Sequence, residues 1–282
     1  MSMRPNDLFD LTGKVALVTG GATGIGRMAT EGLVAAGARV LIASRKADGC
    51  IAVAAELNAM GLPGQAEGFG GDVGTKAGVE ALAAEVAKRT NKLHILINNA
   101  GMGESGSLAE VDMQRVRKIF EVNLFCTLEL TQVALSGMIR REKGMVLLVS
   151  SIAGRVPMPF LMPYSMSKFA LSAAGAGLRA EMDQLKKNIH ISLIEPGAIH
   201  TGFNQAMTDS KYEWMGQSSY FAHQTQKMQK QERATFKLLE ARSTQGIVNQ
   251  IIKATEASRP KLRYTSPWIQ GFGVRLARIF GV

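Results

Sequence analysis

Cysteine is almost missing: Cys50 and Cys126 are the only two in 282 residues. Two thiols cannot build a disulfide framework, and neither sits in a metal-type spacing. Both fall in helix-like stretches, where they read as small buried side chains. There is no unbroken apolar run of about 18 residues, so the sequence predicts no bilayer-spanning helix. The N-terminal "MSMRPNDLFDLTGK" is polar, carries acids and has no apolar signal run. Together these absences predict a reduced, soluble, cytoplasmic chain. His94, His190 and His223 have no ligand-like partners in sequence, so no metal site is expected. Internal repeats and low-complexity linkers are also absent. Acids are missing from residues 259–282, which hold Arg259, Lys261, Arg263, Arg275 and Arg278. Those five cations are half of the formal net charge of +10. The charge therefore belongs to a tail, which argues against a broad basic face for nucleic acid.

What is present is alternation. With 46% hydrophobic residues the chain can bury a sizeable core. The short apolar runs are "KVALVT" (14–19), "RVLIA" (39–43), "LHILIN" (93–98), "MVLLVS" (145–150) and "HISLIE" (190–195). They are interleaved with alanine-rich stretches at 25–36, 48–60, 75–89 and 112–140. Apolar runs without polar alternation suit strands buried on both faces. Strand–helix repetition over this length predicts an α/β fold with a parallel, doubly wound sheet. Ligands in such sheets bind beyond the carboxyl ends of the strands, so the chemistry is sought there.

The first strand end carries "TGGATGIG" (19–26), with Gly20, Gly24 and Gly26. Glycines between strand and helix let the backbone approach a pyrophosphate, whose charge meets the helix N-terminus. The second strand end holds Ser44, Arg45 and Lys46 and lacks the carboxylate that often binds ribose hydroxyls. Two cations there point to a 2′-phosphate, hence NADP(H), with NAD(H) as the alternative. Asp72, in "GGDV", is placed to meet the adenine edge, and "NNAG" (98–101) follows the fourth strand. In "PYSMSK" (163–168), Tyr164 precedes Lys168 by one helical turn. That pair reads either as a snorkelling lysine beside a half-buried ring or as a cation lowering the tyrosine pKa. The spacing alone leaves both readings open.

"TGGATGIG", "NNAG", Asn123 in "EVN", the serines at 150–151, "YSMSK" and "PGAIHT" (196–201) occur in one order along the chain. In that order they resemble the classical short-chain dehydrogenase/reductase family, clearly over about residues 10–200 and less clearly to 265. The resemblance implies a Rossmann-type domain over 1–265, of about seven strands. It implies catalysis by Asn123, Ser151, Tyr164 and Lys168. Ser151, thirteen residues before Tyr164, would hydrogen-bond the substrate oxygen, and Tyr164 would be the general acid or base. Lys168 would lower the Tyr164 pKa and grip the nicotinamide ribose, while Asn123 would hold a relay water. The cofactor set it implies adds Thr23, Ile25, Val73, Asn99, Ala100, Gly101, Pro196, Gly197, Ile199 and Thr201. His200, inside that last segment, is expected to pack or hydrogen-bond rather than act as a base. A homodimer or homotetramer is the family's common state.

Residues 202–240 are too long for a tight loop and are expected to form a helical substrate lid. Phe203, Tyr212, Trp214, Tyr220 and Phe221 enrich it in aromatics, so a moderately large apolar pocket is expected. Phe203 and Trp214, with Met158, Ser151 and Tyr164, are the candidate substrate residues; Phe160 and Met162 would join them. Residues 266–282 are expected to form a separate basic amphipathic tail that packs on a neighbouring subunit in preference to a membrane. The leading expectation is an NADP(H)-dependent enzyme interconverting a bulky apolar ketone and its secondary alcohol. A 3-oxoacyl reductase is the alternative within that chemistry. A nucleotide-sensing module without catalysis is the alternative outside it.

Overall fold

The structure is a computed structural model that describes residues 10–216 and 219–280. The N-terminal residues 1–9, the lid residues 217–218 and the tail residues 281–282 lie outside the described residues. Seven strands form one sheet in the order β3-β2-β1-β4-β5-β6-β7. They are β1 (Val15–Thr19), β2 (Arg39–Ser44), β3 (Gln65–Gly70), β4 (Ile95–Asn98), β5 (Lys143–Val149), β6 (Asn188–Pro196) and β7 (Arg263–Ser266). All neighbouring pairs run parallel. The expected doubly wound α/β sheet is therefore observed, with its order reversing between β1 and β4. A crevice opens at such a reversal, at the carboxyl ends of the strands.

Successive strand residues explain why the apolar runs lack polar alternation. Ala16 and Val18 join one core with helices α1 (Gly24–Ala35), α2 (Ala47–Ala59) and α9 (Gln245–Glu256). Leu17, between them, joins a second core with α3 (Lys76–Arg89), α5 (Cys126–Arg140) and α6 (Met162–Gln184). Side chains alternate across a strand, and here both faces are covered. Both cysteines are buried and unpaired.

Helix α4 (Met113–Phe120) runs through a π-helical turn, Glu121–Phe125, into α5. The continuous helix Met113–Arg140 is long and apolar enough by composition to cross a bilayer, although it holds no unbroken apolar run of that length. Cys126, Leu130, Leu135 and Met138 instead pack it into the second core. Past β6 come α7 (Phe203–Trp214) and α8 (Thr225–Leu239), the two lid helices. Helix α10 (Trp268–Ile279) follows β7 and packs against that strand and the short 3-10 helix Ile152–Gly154.

Candidate active site

The ends of β1 and β4 are tied together before any ligand is considered. Thr19 Oγ1 accepts the N–H of Asn99 at 3.1 Å and of Ala100 at 3.0 Å. Asn99 Nδ2 donates to the carbonyls of Thr19 and Gly20, at 3.0 and 3.2 Å. Gly20 has φ +63°, and a Cβ on Gly26 would lie 2.2 Å from the Gly20 carbonyl oxygen. No larger residue fits at Gly26, so the loop turns tightly into α1. Thr23, the residue capping α1, makes no side-chain cap bond. The first-turn N–H groups thus have no side-chain acceptor, and Thr23, Gly24 and Ile25 line the main cavity. This is the arrangement a pyrophosphate requires.

The expected adenosine residues lie apart from that cavity. Ser44 Oγ donates to the Lys46 carbonyl at 3.2 Å and lies 3.1 Å from Cys50 Sγ. Arg45 and Lys46 are exposed at the start of α2, and neither forms an ion pair among the described residues. Arg45 and Asp72 share a second, shallower cleft at the ends of β2 and β3. Asp72 Oδ1 accepts the Gly74 N–H at 2.9 Å, and Val73 packs against the second core.

The four expected catalytic residues converge at the main cavity or directly behind it. Ser151 follows β5; its Oγ accepts the Ala153 N–H at 3.1 Å and donates to the Pro196 carbonyl at 3.4 Å. Tyr164 and Lys168 stand one turn apart on α6, with Nζ 5.7 Å from the ring centroid. Lys168 is buried and donates to the Val149 carbonyl at 2.8 Å. Asn123 lies on the π-helical turn, and its side chain is fully engaged. Oδ1 accepts the Met102 N–H at 2.9 Å, while Nδ2 donates to the Met102 carbonyl at 2.9 Å and to Ser167 Oγ at 3.1 Å. Ser167 Oγ in turn donates to the Tyr164 carbonyl at 2.7 Å. Gly101 closes the group: a Cβ there would lie 3.1 Å from Asn123 Oδ1 and 3.7 Å from Lys168 Nζ.

Burial works against the expected lowering of the tyrosine pKa. Burial pushes the Tyr164 phenol up to about 12, and the Ser151 hydrogen bond offsets only part of this. Burial also pulls the Lys168 ammonium down to about 8. Desolvation disfavours the charged form of each, and at this separation the cation does not overcome it.

Pro196 ends β6, and the segment after it is held from two sides. The Gly197 N–H donates to the Ser266 carbonyl at 2.8 Å and the Ala198 N–H to Gln270 Oε1 at 2.8 Å. Gln270 Nε2 donates to the Leu239 carbonyl at 2.9 Å. One side chain of α10 thus links the segment to the lid, and a Cβ on Gly197 would fall 2.0 Å from its oxygen. Ile199 is buried in a bridge to Ala241, and Thr201 lines the cavity across from Gly24. His200 Nδ1 lies 2.8 Å from Glu240 Oε2. Burial opposes ionisation of Glu240, yet hydrogen bonds from Asn204, His200 and Gln205 hold its carboxyl below the usual value.

The cavity measures about 830 Å³, within the range of small-molecule sites. Met158 and Phe203 line it, and Phe203 lies 5.8 Å from the Tyr164 ring. Trp214 does not line it, contrary to expectation. Its ring packs on Gly106, where a Cβ would fall 1.9 Å from Cζ2, and under the Arg115 guanidinium at 5.7 Å. Phe160 and Met162 also stand outside; Phe160 meets Phe221 edge to face at 5.0 Å. Sequence reasoning missed Met207, Glu232 and Phe236 of the lid and the α10 wall of Gln270, Gly273, Val274 and Ala277. The α10 residues recur at the 3–4–7 spacing of one helix face, a signal that was present in the tail. Glu232 is held by Lys211 Nζ at 2.6 Å and by the Tyr212 hydroxyl at 3.0 Å. Among the described residues no group of three His, Cys, Asp or Glu could hold a metal ion.

Residues 14–212 match the model of the short chain dehydrogenase family. Dehydrogenase/reductase SDR family member 7B of Mus musculus is 33% identical over 196 residues, covering 69% of this chain and 60% of its own. The chain thus spans less than two thirds of that relative's length. The uncharacterized oxidoreductase YbbO of Escherichia coli K12 is 31% identical, covering 90% of this chain and 87% of its own. A short chain dehydrogenase/reductase from Burkholderia phymatum, solved in complex with NAD, superposes with a TM-score of 0.81. Its identity is 23%, over 96% of this chain and 95% of that one, so it shows the shared fold. With the family matched across most of the chain and the strand-end motifs gathered at one crevice, this protein belongs to the short-chain dehydrogenase family.

Proposed function

We propose that the protein is an NADP(H)-dependent oxidoreductase that interconverts a bulky, apolar ketone and its secondary alcohol. The observation that carries this reading is the convergence of Ser151, Tyr164 and Lys168 on one large cavity beside the glycine-rich turn. The nicotinamide cofactor would supply the hydride. The Ser151 hydroxyl would bind the carbonyl oxygen and stabilise charge developing there. With a pKa near 12, the Tyr164 phenol is protonated at neutral pH and suited to donate its proton to that oxygen. Lys168 would hold the nicotinamide ribose, and Asn123 fixes the backbone at Met102 beside it. Arg45 and Lys46, exposed and without an acidic partner among the described residues, beside the cleft of Asp72, support a 2′-phosphate.

The test is turnover of NADPH and NADH against a panel of ketones, including 3-oxoacyl thioesters, cyclic and steroid ketones. We expect NADPH to be preferred, and Tyr164→Phe to lower turnover by about 10³-fold while retaining nucleotide binding. Arg45→Asp is expected to shift the preference toward NADH by about 10- to 100-fold, the loss of one or two charge-assisted hydrogen bonds. Tight nucleotide binding with no turnover in either direction would instead establish the sensing module. Unchanged discrimination in Arg45→Asp would remove that residue from the 2′-phosphate site.

A further inference from the structure

Helix α10 is amphipathic in an inverted sense. Its polar and small side, Gln270, Val274 and Ala277, faces the protein and the cavity. Its large apolar side chains face outward: Trp268 is 76% exposed, Ile279 75% and Phe280 79%, with Ile269, Phe272 and Leu276 also exposed. At 100° per residue these six fall within about 120° of one another, a single stripe. Arg275 and Arg278, both exposed, flank one edge of it. On the last turn of α8, which Gln270 ties to α10, Leu238 and Leu239 are also exposed.

We propose that this face docks on an anionic lipid bilayer. An exposed apolar stripe edged by arginines, with tryptophan at one end, has the composition of an interfacial helix. Charge favours a bilayer over a second copy of this chain. Arg275 and Arg278 are exposed beside the stripe and α10 holds no acid, so pairing two copies of this face opposes like charges, whereas anionic headgroups neutralise them. Leu239, beside α10, both lines the cavity and is half exposed. A lipophilic ketone would therefore pass from the lipid phase to Tyr164 beside this residue; that delivery step alone rests on the proposed function.

The full chain is to be sedimented with phosphatidylcholine vesicles, with and without phosphatidylserine, at about 0.1 M and about 1 M salt. The expected result is binding to the anionic vesicles, weakened by salt, with a blue shift of Trp268 emission. The combined variant Trp268→Ser, Phe272→Ser, Ile279→Ser is expected to lose at least about tenfold in affinity, since each removes buried apolar area. Arg275→Gln with Arg278→Gln is expected to lose the preference for phosphatidylserine. Nucleotide affinity, unchanged in both variants, reports that they fold. Absence of vesicle binding by the unaltered chain, or binding that neither variant weakens, overturns the proposal. A fall in solution mass in the serine variant, without vesicle binding by the unaltered chain, assigns the face to a second copy instead. None of these outcomes depends on turnover.

Discussion

Tyr164 and Lys168 show why residue type and residue state are separate questions. Their types and spacing are plain in "YSMSK", but their pKa values are set by what packs around them. Burial places Lys168 near 8, against about 10.4 for a free lysine. The folded chain then sheds this proton as pH rises through 8, while the unfolded chain keeps it to about 10.4. Stability contributed by this group therefore rises with pH across that window, and below it the buried charge is a cost. Lys168→Met should raise the melting temperature at pH 7 and flatten its dependence between about pH 8 and 10. Thermal unfolding at stepped pH checks this; an unchanged slope would mean that Lys168 titrates normally. Ketone reduction should also decline above about pH 8, as the cation proposed to hold the nicotinamide ribose is lost. Asn123 carries a similar lesson. Its identity was legible, yet the engagement of its amide with Met102 depends on a π-helical turn that no local pattern announces.

Among elements, the glycine turn was legible because its constraint is local: a side chain on Gly26 would strike the Gly20 carbonyl six residues earlier, and Gly20 itself has a positive φ. The joint between β6 and β7 was not. Glu195 closes the apolar run "HISLIE" and is 1% exposed. It pairs with Arg155 at 3.0 Å and with Arg263, and accepts the Thr265 hydroxyl at 3.2 Å. Arg155 and Arg263 lie 40 and 68 residues away, so nothing near Glu195 in sequence announces them. This cluster ties the loop after Ser151 to the outer strand. Glu195→Ala would leave two half-buried guanidiniums without their partner and should cost about 3 kcal/mol. In a domain of this size that is a fall of about 6–12 °C in melting temperature. Calorimetry checks it, with Glu195→Gln expected to recover part of the loss. Full stability in the alanine variant would show the cluster to be incidental.

At the scale of the whole molecule, the cavity belongs to segments far apart in the chain. The Ser151–Tyr164 loop forms its floor, α7 and α8 form one side, and α10 closes another. The aromatic count of the lid pointed to Trp214, which instead braces the Gly106 turn. The small residues Gly273 and Ala277 leave room for a substrate on the α10 wall. Ala277→Phe should fill part of that space. The KM of a bulky ketone should then rise by about tenfold or more, from a clash of about 1–3 kcal/mol. A small ketone should change by about twofold at most. Equal effects on both would mean that the substitution displaces α10 rather than narrowing the cavity.

By itself the sequence determined the five apolar strands of the sheet, the strand ends that carry the candidate chemistry and the residue types gathered there. Those depend on short-range rules: apolar runs buried on two faces, glycines at a tight turn, a one-turn spacing on a helix. Only the tertiary structure decided which direction burial drives the tyrosine, which lid residues meet the cavity, and that α10 forms its wall while turning its apolar face outward. Each of those depends on contacts between residues remote in sequence, where desolvation and close packing, not spacing, set the outcome.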